Sequence, residues 1–194
     1  MIRDILISMR PRQWLKNLFV FAALIFSRQF IIWEKTLFSL LTFLIFCLLS
    51  GAVYIINDCA DAEGDRKHRD KRHRPIASKR LARRPALAAA AALIIISVAG
   101  AFILNIHLGM VAGGYLILMT AYSLALKRIV IVDVLAVASG FILRVVAGGV
   151  VIDVPLSEWL LICTFLVSLF LALSKRRHEL VLLETEASGH RPIL

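Results

Sequence analysis

The sequence predicts an all-α, polytopic membrane helix bundle. Of its 194 residues, 60% are hydrophobic, and the mean hydropathy is +0.83, well above the roughly half-apolar composition of soluble domains. The apolar residues form runs long enough to cross a bilayer, which takes about 20 residues. A water-soluble fold of this length could not bury so much apolar surface.

Six runs qualify or nearly qualify as transmembrane helices. The first is the weakest, because Arg28 and Gln29 shorten its apolar part. The third is rich in alanine, which allows close packing between helices in lipid. In chain order the runs cover residues 15–32, 36–56, 86–105, 108–126, 129–151 and 158–174.

The positive charges predict the orientation. The chain carries 23 Lys and Arg against 13 Asp and Glu, a net charge of +10. Lys and Arg concentrate in four segments: four in 1–16, ten in 57–85, two at 127–128 and four in 175–194. The opposite loops hold only Arg28 and Lys35. The positive-inside rule therefore predicts an inner-membrane protein with both ends and the 57–85 loop in the cytoplasm.

Other classes are disfavoured by the same pattern. Nucleic-acid binding needs a soluble basic face, whereas these basic residues interrupt lipid-length runs. Cys47, Cys59 and Cys163 show neither metal-ligand nor disulfide spacing. The N-terminal apolar stretch lacks a small-residue cleavage pattern and is interpreted as a retained helix. No linker or repeat divides the chain, so residues 1–194 are expected to form a single domain.

An acidic motif stands where the second helix leaves the membrane, in the sequence Asn57-Asp58-Cys59-Ala60-Asp61-Ala62-Glu63-Gly64-Asp65. On a helix, residues 57, 61 and 65 share one face and rise about 6 Å per step. Magnesium suits such a stripe, since it takes one or two carboxylates, keeps waters and accepts substrate phosphate oxygens. The motif therefore predicts a Mg²⁺ site for a diphosphate.

Basic residues follow the motif directly. They could neutralise the remaining charge of a diphosphate; they are Arg66, Lys67, Arg69, Lys71, Arg72 and Arg74. The alternative is that the acids merely balance a positive cytoplasmic loop. Four clustered carboxylates repel one another unless a cation joins them, which favours the functional interpretation.

At these residues the chain resembles the UbiA superfamily of intramembrane prenyltransferases. Asn57 to Asp65 is similar to the family's N-D-x-x-D-x-x-x-D motif. His73-Arg74-Pro75-Ile76-Ala77-Ser78 resembles its R-P-x-A-S-G stretch, and Tyr122-Ser123-Leu124-Ala125-Leu126-Lys127 its Y-S-x-x-L-K turn. The resemblance implies that Asn57, Asp58, Asp61 and Asp65 hold Mg²⁺ and the donor diphosphate.

A narrower resemblance points to one branch. Met9-Arg10-Pro11-Arg12-Gln13-Trp14-Leu15-Lys16-Asn17 and the segment 133–149 are similar to the branch that includes decaprenyl-phosphate phosphoribosyltransferases. That branch implies phosphoribosyl transfer from phosphoribosyl pyrophosphate to a polyprenyl phosphate, an isoprenoid lipid substrate. It also implies substrate contacts from Lys16, Asn17, Arg66, Arg74, Tyr122 and Lys127.

The chain departs from the family pattern in two places. The second acidic motif is replaced by Ser174-Lys175-Arg176-Arg177-His178-Glu179. The three cations Lys175, Arg176 and Arg177 are therefore expected to meet an anionic partner such as a lipid phosphate, and Glu179 is taken as a further substrate contact. Ordinary membrane anchoring is the alternative. The family also has nine helices against six here, so we expect the domain to be incomplete at its C-terminal end.

Two ionisable residues fall inside the fifth apolar run. Asp133 and Arg144 share a helix face about 16 Å apart along the axis, and an ionisable group within a span is a functional candidate. For Arg144 the alternatives are snorkelling or pairing with backbone carbonyls.

Three alternatives to this function stay open at this point. The first is aromatic prenyl transfer of the quinone-precursor type, against which the missing second acidic motif argues. The second is a transporter that uses Asp133 and Arg144 as an intramembrane pair. The third is an inactive fragment.

Overall fold

A computed structural model describes the backbone of residues 1–188, with side chains except at 128, 130, 175 and 178–188. Within that range the secondary structure is helical. The α-helices are α1 Ile2–Ser8, α2 Ala22–Phe26, α3 Trp33–Lys67, α4 Arg83–Leu104, α5 Ile106–Leu124, α6 Val130–Val151 and α7 Glu158–Ser188. Four 3₁₀ helices cover Pro11–Phe21, Gln29–Ile31, Lys71–His73 and Leu126–Arg128.

The all-α membrane fold is confirmed. Four helices are long and apolar enough to cross a bilayer, namely Trp33–Lys67, Arg83–Leu104, Ile106–Leu124 and Ile131–Val151. They coincide with the second to fifth predicted runs. The sixth run is the apolar part of α7, Glu158–Ser174. The number of crossings remains a prediction.

The first predicted helix, 15–32, takes a different form. Its chain is a 3₁₀ helix followed by the short α2, and it ends at Arg28, whose φ of 57° is left-handed. Arg10, the residue before this 3₁₀ helix, also has a left-handed φ, of 52°. Because a 3₁₀ helix rises about 2.0 Å per residue, Pro11–Phe26 reaches roughly 30 Å, close to the thickness of a hydrocarbon core.

This first segment is pressed against α6 at Gly148. A Cβ added to Gly148 would lie 1.9 Å from the carbonyl oxygen of Val20. Such a contact is sterically impossible, and the neighbour is backbone rather than a flexible side chain. The absence of a side chain at position 148 therefore allows the segment to dock.

The long helix α3 is the centre of the bundle and packs on α4, α5, α6 and the first segment. One core cluster surrounds Phe46, Leu49 and Tyr115. A second surrounds Ile55, Cys59 and Leu81, where α3 meets α4 and the loop that precedes α4. The 35 residues of α3 extend about 52 Å, so the helix continues beyond a bilayer core and carries the acidic motif with it.

The outer surface is apolar. In the apolar part of α4 only 17% of residues are buried, against 61% in α3. Large side chains such as Ile103, Ile117 and Phe170 are exposed on the long helices. Exposed apolar surface on this scale identifies a multi-pass membrane protein whose outer helices face lipid.

Gly148→Ala is expected to destabilise the protein by about 1–3 kcal/mol, because the new methyl group overpacks against the backbone of Val20. The measurement is the thermal unfolding midpoint of the protein in detergent. Gly114→Ala is the matched control, since a Cβ at Gly114 meets nothing within 4 Å. An equal midpoint for the two variants would contradict the docking described above.

Candidate functional site

A cavity of about 460 Å³ opens between α3, α5, α6, α7 and the first segment. Its wall contains seven cationic side chains, Arg10, Lys16, Lys71, Arg74, Lys127, Arg144 and Arg176, against three carboxylates, Asp61, Asp65 and Asp133. Apolar residues including Val53, Met119, Val137 and Phe141 complete it. The cavity is therefore electropositive and suited to an anionic ligand with an apolar part.

The acidic stripe lies on one wall of the cavity. The α-helical backbone runs unbroken through the motif, as the sequence predicted, and Asn57, Asp61 and Asp65 all line the cavity. The ammonium of Lys127 lies 2.6 Å from each carboxylate oxygen of Asp61 and 3.2 Å from Oδ1 of Asn57. A cationic group is thus already held between these oxygens.

Asp58 lies behind two arginines of the cavity wall and does not line the cavity itself. It is buried, with 2% exposure, and accepts hydrogen bonds from Arg10 and Arg74. Arg74 also donates to Asp65 at 2.6 Å. Arg10 in turn stacks over the ring of Tyr54 at 5.0 Å. In this geometry Asp58 fixes two arginines that line the cavity, and its role as a metal ligand remains a prediction.

Arg144 is buried at the inner end of the cavity, and each of its three guanidinium nitrogens donates a hydrogen bond. It donates at 2.7 Å to Asn17 Oδ1, to the carbonyl oxygen of Gly140 and to the hydroxyl of Tyr115. Its guanidinium also lies 4.8 Å from the centre of the Tyr115 ring. Among the side chains that the structure describes, no carboxylate pairs with it. Arg144 therefore joins the first segment to α5 and α6.

Asn17 supports this arrangement from behind. Its side-chain amide is completely buried and donates to Ser50 Oγ at 3.2 Å and to Cys47 Sγ at 3.3 Å, both on α3. Its Oδ1 accepts the hydrogen bond from Arg144. Asn17 thus acts through Arg144 and does not line the cavity itself.

Asp133 connects three helices across the opposite wall. It accepts a hydrogen bond from the Tyr122 hydroxyl at 2.8 Å and pairs with Arg176 of α7 at 3.1 Å. Asp133 and Arg144 thus have separate partners and do not form the intramembrane pair that a transporter would use.

The other predicted residues fall into three groups. Lys16 lines the cavity. Arg66 faces the opposite side of α3 and donates to the carbonyl oxygen of Ala77 at 3.1 Å. The side chains of Lys175 and Glu179 lie outside the described residues.

Sequence reasoning missed several cavity residues. Arg10 and Gln13 belong to the segment 9–17 but are not assigned to the site from the sequence, although their proximity to Lys16 is an available signal. Tyr115 has no distinctive spacing in the sequence. Lys71 lines the cavity and is one of the six basic residues that the sequence places beside the acidic motif.

The residues present fit a magnesium ion. Asn57, Asp61 and Asp65 offer hard oxygen donors, which Mg²⁺ prefers, and a cationic nitrogen already occupies the space between two of them. Among described residues, no group of three or more His, Cys, Asp or Glu side chains is arranged to hold a metal alone. A magnesium ion here would therefore need waters and ligand phosphate oxygens to complete its shell.

Comparison with known proteins places these features in context. The model of the UbiA prenyltransferase family matches residues 17–179. The decaprenyl-phosphate phosphoribosyltransferase of Mycolicibacterium smegmatis is 36% identical over 100% of this chain and 62% of its own. That of Corynebacterium glutamicum is 38% identical over 96% of this chain and 58% of its own. The chain thus spans about three fifths of the length of these relatives.

A solved structure shares the fold. The UbiA homologue from Archaeoglobus fulgidus, bound to DMAPP and Mg²⁺, superposes with a TM-score of 0.72 at 22% identity. The match covers 86% of this chain and 60% of the homologue. The helix arrangement around the cavity is therefore one already seen in a solved membrane protein.

Arg144→Lys is expected to destabilise the protein by about 1–3 kcal/mol, because an ammonium cannot reproduce the three fixed bonds of the guanidinium. The thermal unfolding midpoint in detergent measures the change. Arg28→Lys is the matched control, since Arg28 is exposed and makes no side-chain bond to any described residue. If both substitutions leave the midpoint unchanged, the network around Arg144 does not stabilise the fold.

Proposed function

The chain belongs to the UbiA prenyltransferase family, and we propose that it is a Mg²⁺-dependent membrane transferase that acts on an isoprenoid lipid with release of pyrophosphate. Our preferred reaction is phosphoribosyl transfer from phosphoribosyl pyrophosphate to a polyprenyl phosphate. The observation that carries the proposal is the convergence of the acidic stripe and seven cations on one cavity at the end of a membrane helix.

The acidic stripe would receive the donor. Asn57, Asp61 and Asp65 would hold Mg²⁺ together with oxygens of the diphosphate. When bound, the ion neutralises the charge that develops on the leaving pyrophosphate. Asp58 would contribute by keeping Arg10 and Arg74 in place beside the stripe.

The cations beside the stripe would position the phosphates. Arg74 and Lys127 are now paired with Asp65 and Asp61, and a bound diphosphate would offer each a stronger anionic partner. Lys16 and Arg10 would contact the same group from the first segment. These charge-assisted bonds would stabilise the leaving group as it departs.

The acceptor would enter from the opposite wall. Arg176, held by Asp133, would bind the phosphate of the lipid, with Lys175 beside it in the sequence. A phosphate oxygen is already anionic, so it needs little deprotonation to attack. It would form a bond to C1 of the ribose while the bond from C1 to the pyrophosphate oxygen breaks. The apolar residues Val137 and Phe141 would face the lipid chain.

The orientation follows from the charge distribution. We propose that the cavity opens to the cytoplasmic face of the inner membrane, with the N-terminus and the 57–85 loop on that side. A water-soluble donor would then arrive from the cytoplasm, whereas the lipid would arrive through the bilayer.

Asp61→Asn in the full-length protein is expected to lower turnover by about a hundredfold or more, because several kcal/mol of leaving-group stabilisation would be lost. Pyrophosphate release measures the rate. Asp70→Asn, an exposed change in the adjoining loop, is the control and should leave the rate within about twofold. Wild-type turnover in Asp61→Asn would exclude the stripe from catalysis.

The alternative reaction is aromatic prenyl transfer, since the apolar side of the cavity also suits a prenyl chain. Pyrophosphate release should be compared for phosphoribosyl pyrophosphate with a polyprenyl phosphate and for a prenyl diphosphate with a hydroxybenzoate. We expect release only with the first pair, and only before chelation of Mg²⁺. Release only with the second pair would identify an aromatic prenyltransferase and remove the acceptor role of Arg176.

A further inference from the structure

A second cavity, of about 560 Å³, lies on the far side of α3 from the acidic stripe. Cys59, Glu63 and Arg66 of α3 face it, and they lie about 140–200° around the helix from the mean direction of the stripe residues. The loop before α4 and the first residues of α4 form the other wall. None of the proposed chemistry uses this cavity.

The floor of this cavity is apolar and its rim is cationic. The apolar part comes from Ala62, Ile76 and Leu81, which are buried. Three cations, Arg66, Lys79 and Arg83, stand against one carboxylate, Glu63. Neither Lys79 nor Arg83 forms an ion pair with any side chain that the structure describes. The cavity therefore has an excess of positive charge, with three cations against one carboxylate.

The loop that presents these cations is fixed in shape. Its backbone closes on itself through hydrogen bonds from Leu81 to Pro75, at 3.0 Å, and from Lys79 to Ile76, at 3.2 Å. Lys79 adopts a left-handed φ of 62°. The bond from Arg66 to Ala77 ties the loop to α3. The cations thus project from a preorganised frame.

The end of α4 adds to the positive potential. This 22-residue helix begins at Arg83, and its N-cap residue, Ala82, has no side chain that could accept a bond from the first turn. Both residues line the cavity. The backbone N–H groups of Arg83 and Arg84 and the helix dipole favour an anion at this end, whereas Pro85 has no N–H group.

The position of the cavity indicates which kind of anion it would bind. It lies where two membrane helices, α3 and α4, reach the polar boundary. The exposed side chains of Leu87, Ala91 and Ile95 follow Arg83 at intervals of four residues and form an apolar face of α4. A ligand bound here would have its charge at the rim and an apolar part against the helix, which is the form of a phospholipid.

We propose that this cavity is a binding site for the phosphate headgroup of an anionic phospholipid, distinct from the reaction cavity. Arg66, Lys79 and Arg83 contact the phosphate, and the first turn of α4 adds backbone donors. One acyl chain lies along the exposed face of α4. The bound lipid joins α4 to the loop directly behind the acidic stripe.

The first test is lipid binding to purified full-length protein by native mass spectrometry. Phosphatidylglycerol is compared with phosphatidylcholine of the same acyl chains. Wild-type protein should retain one phosphatidylglycerol that phosphatidylcholine does not displace. The double variant Lys79→Ala/Arg83→Ala should bind it about tenfold more weakly or worse, because each cation contributes near an anionic headgroup.

The matched control is Arg69→Ala/Arg72→Ala, which removes the same charge from exposed positions outside both cavities. It should retain the lipid. Equal loss in both double variants would show a diffuse charge effect and overturn the site. Equal binding of the two lipids by wild-type protein would overturn it as well, as would complete displacement of phosphatidylglycerol by inorganic phosphate.

A second measurement needs no substitution. A phosphatidylglycerol that carries a photoreactive group near its headgroup is irradiated with wild-type protein, and the labelled peptides are mapped. Labels should concentrate in residues 76–83 and be suppressed by unlabelled phosphatidylglycerol. Labelling spread evenly over the basic loop, or confined to other helices, would refute the proposal even if the double variant failed to fold.

Discussion

The arrangement of the bundle depends on how one buried cation is accommodated. A guanidinium inside a membrane helix is costly unless its N–H groups find partners. Arg144 donates through each of its three nitrogens, to Asn17, Gly140 and Tyr115. Gly140 lies on the same helix as Arg144, whereas the bonds to Asn17 and Tyr115 hold the first segment and α5 against α6. The inner end of the cavity that the acidic stripe lines is consequently defined by the solvation of Arg144.

The helices that make this arrangement could be predicted because lipid imposes a simple length rule. The apolar runs of α3 to α6 are long and continuous, so their existence followed from composition alone. The first segment obeys no such rule. It is a 3₁₀ helix flanked by the left-handed residues Arg10 and Arg28. It docks on α6 where Val20 approaches Gly148, and these two residues are more than a hundred positions apart in the sequence. Hydropathy carries no information about that approach.

The candidate site likewise has features that could be predicted from the sequence and features that could not. The face shared by Asn57, Asp61 and Asp65 follows from the helical period, and the structure has that helix. The ion-pair partners of Asp61 and Asp65 could not be deduced, because Lys127 and Arg74 come close to them only in the folded chain. The environment of Asp58 was equally hidden, since an acidic residue in a motif gives no sign that a distant arginine, Arg10, will pair with it.

The ammonium of Lys127 lies between Asn57 and Asp61 and would couple the two ligands that the site is proposed to take. A divalent ion that arrived alone would have to displace this tethered cation and leave it without a partner. A diphosphate that arrived with the ion would supply that partner. Each ligand would then raise the affinity for the other by the same factor, and the selectivity against bare metal would reside in one lysine side chain.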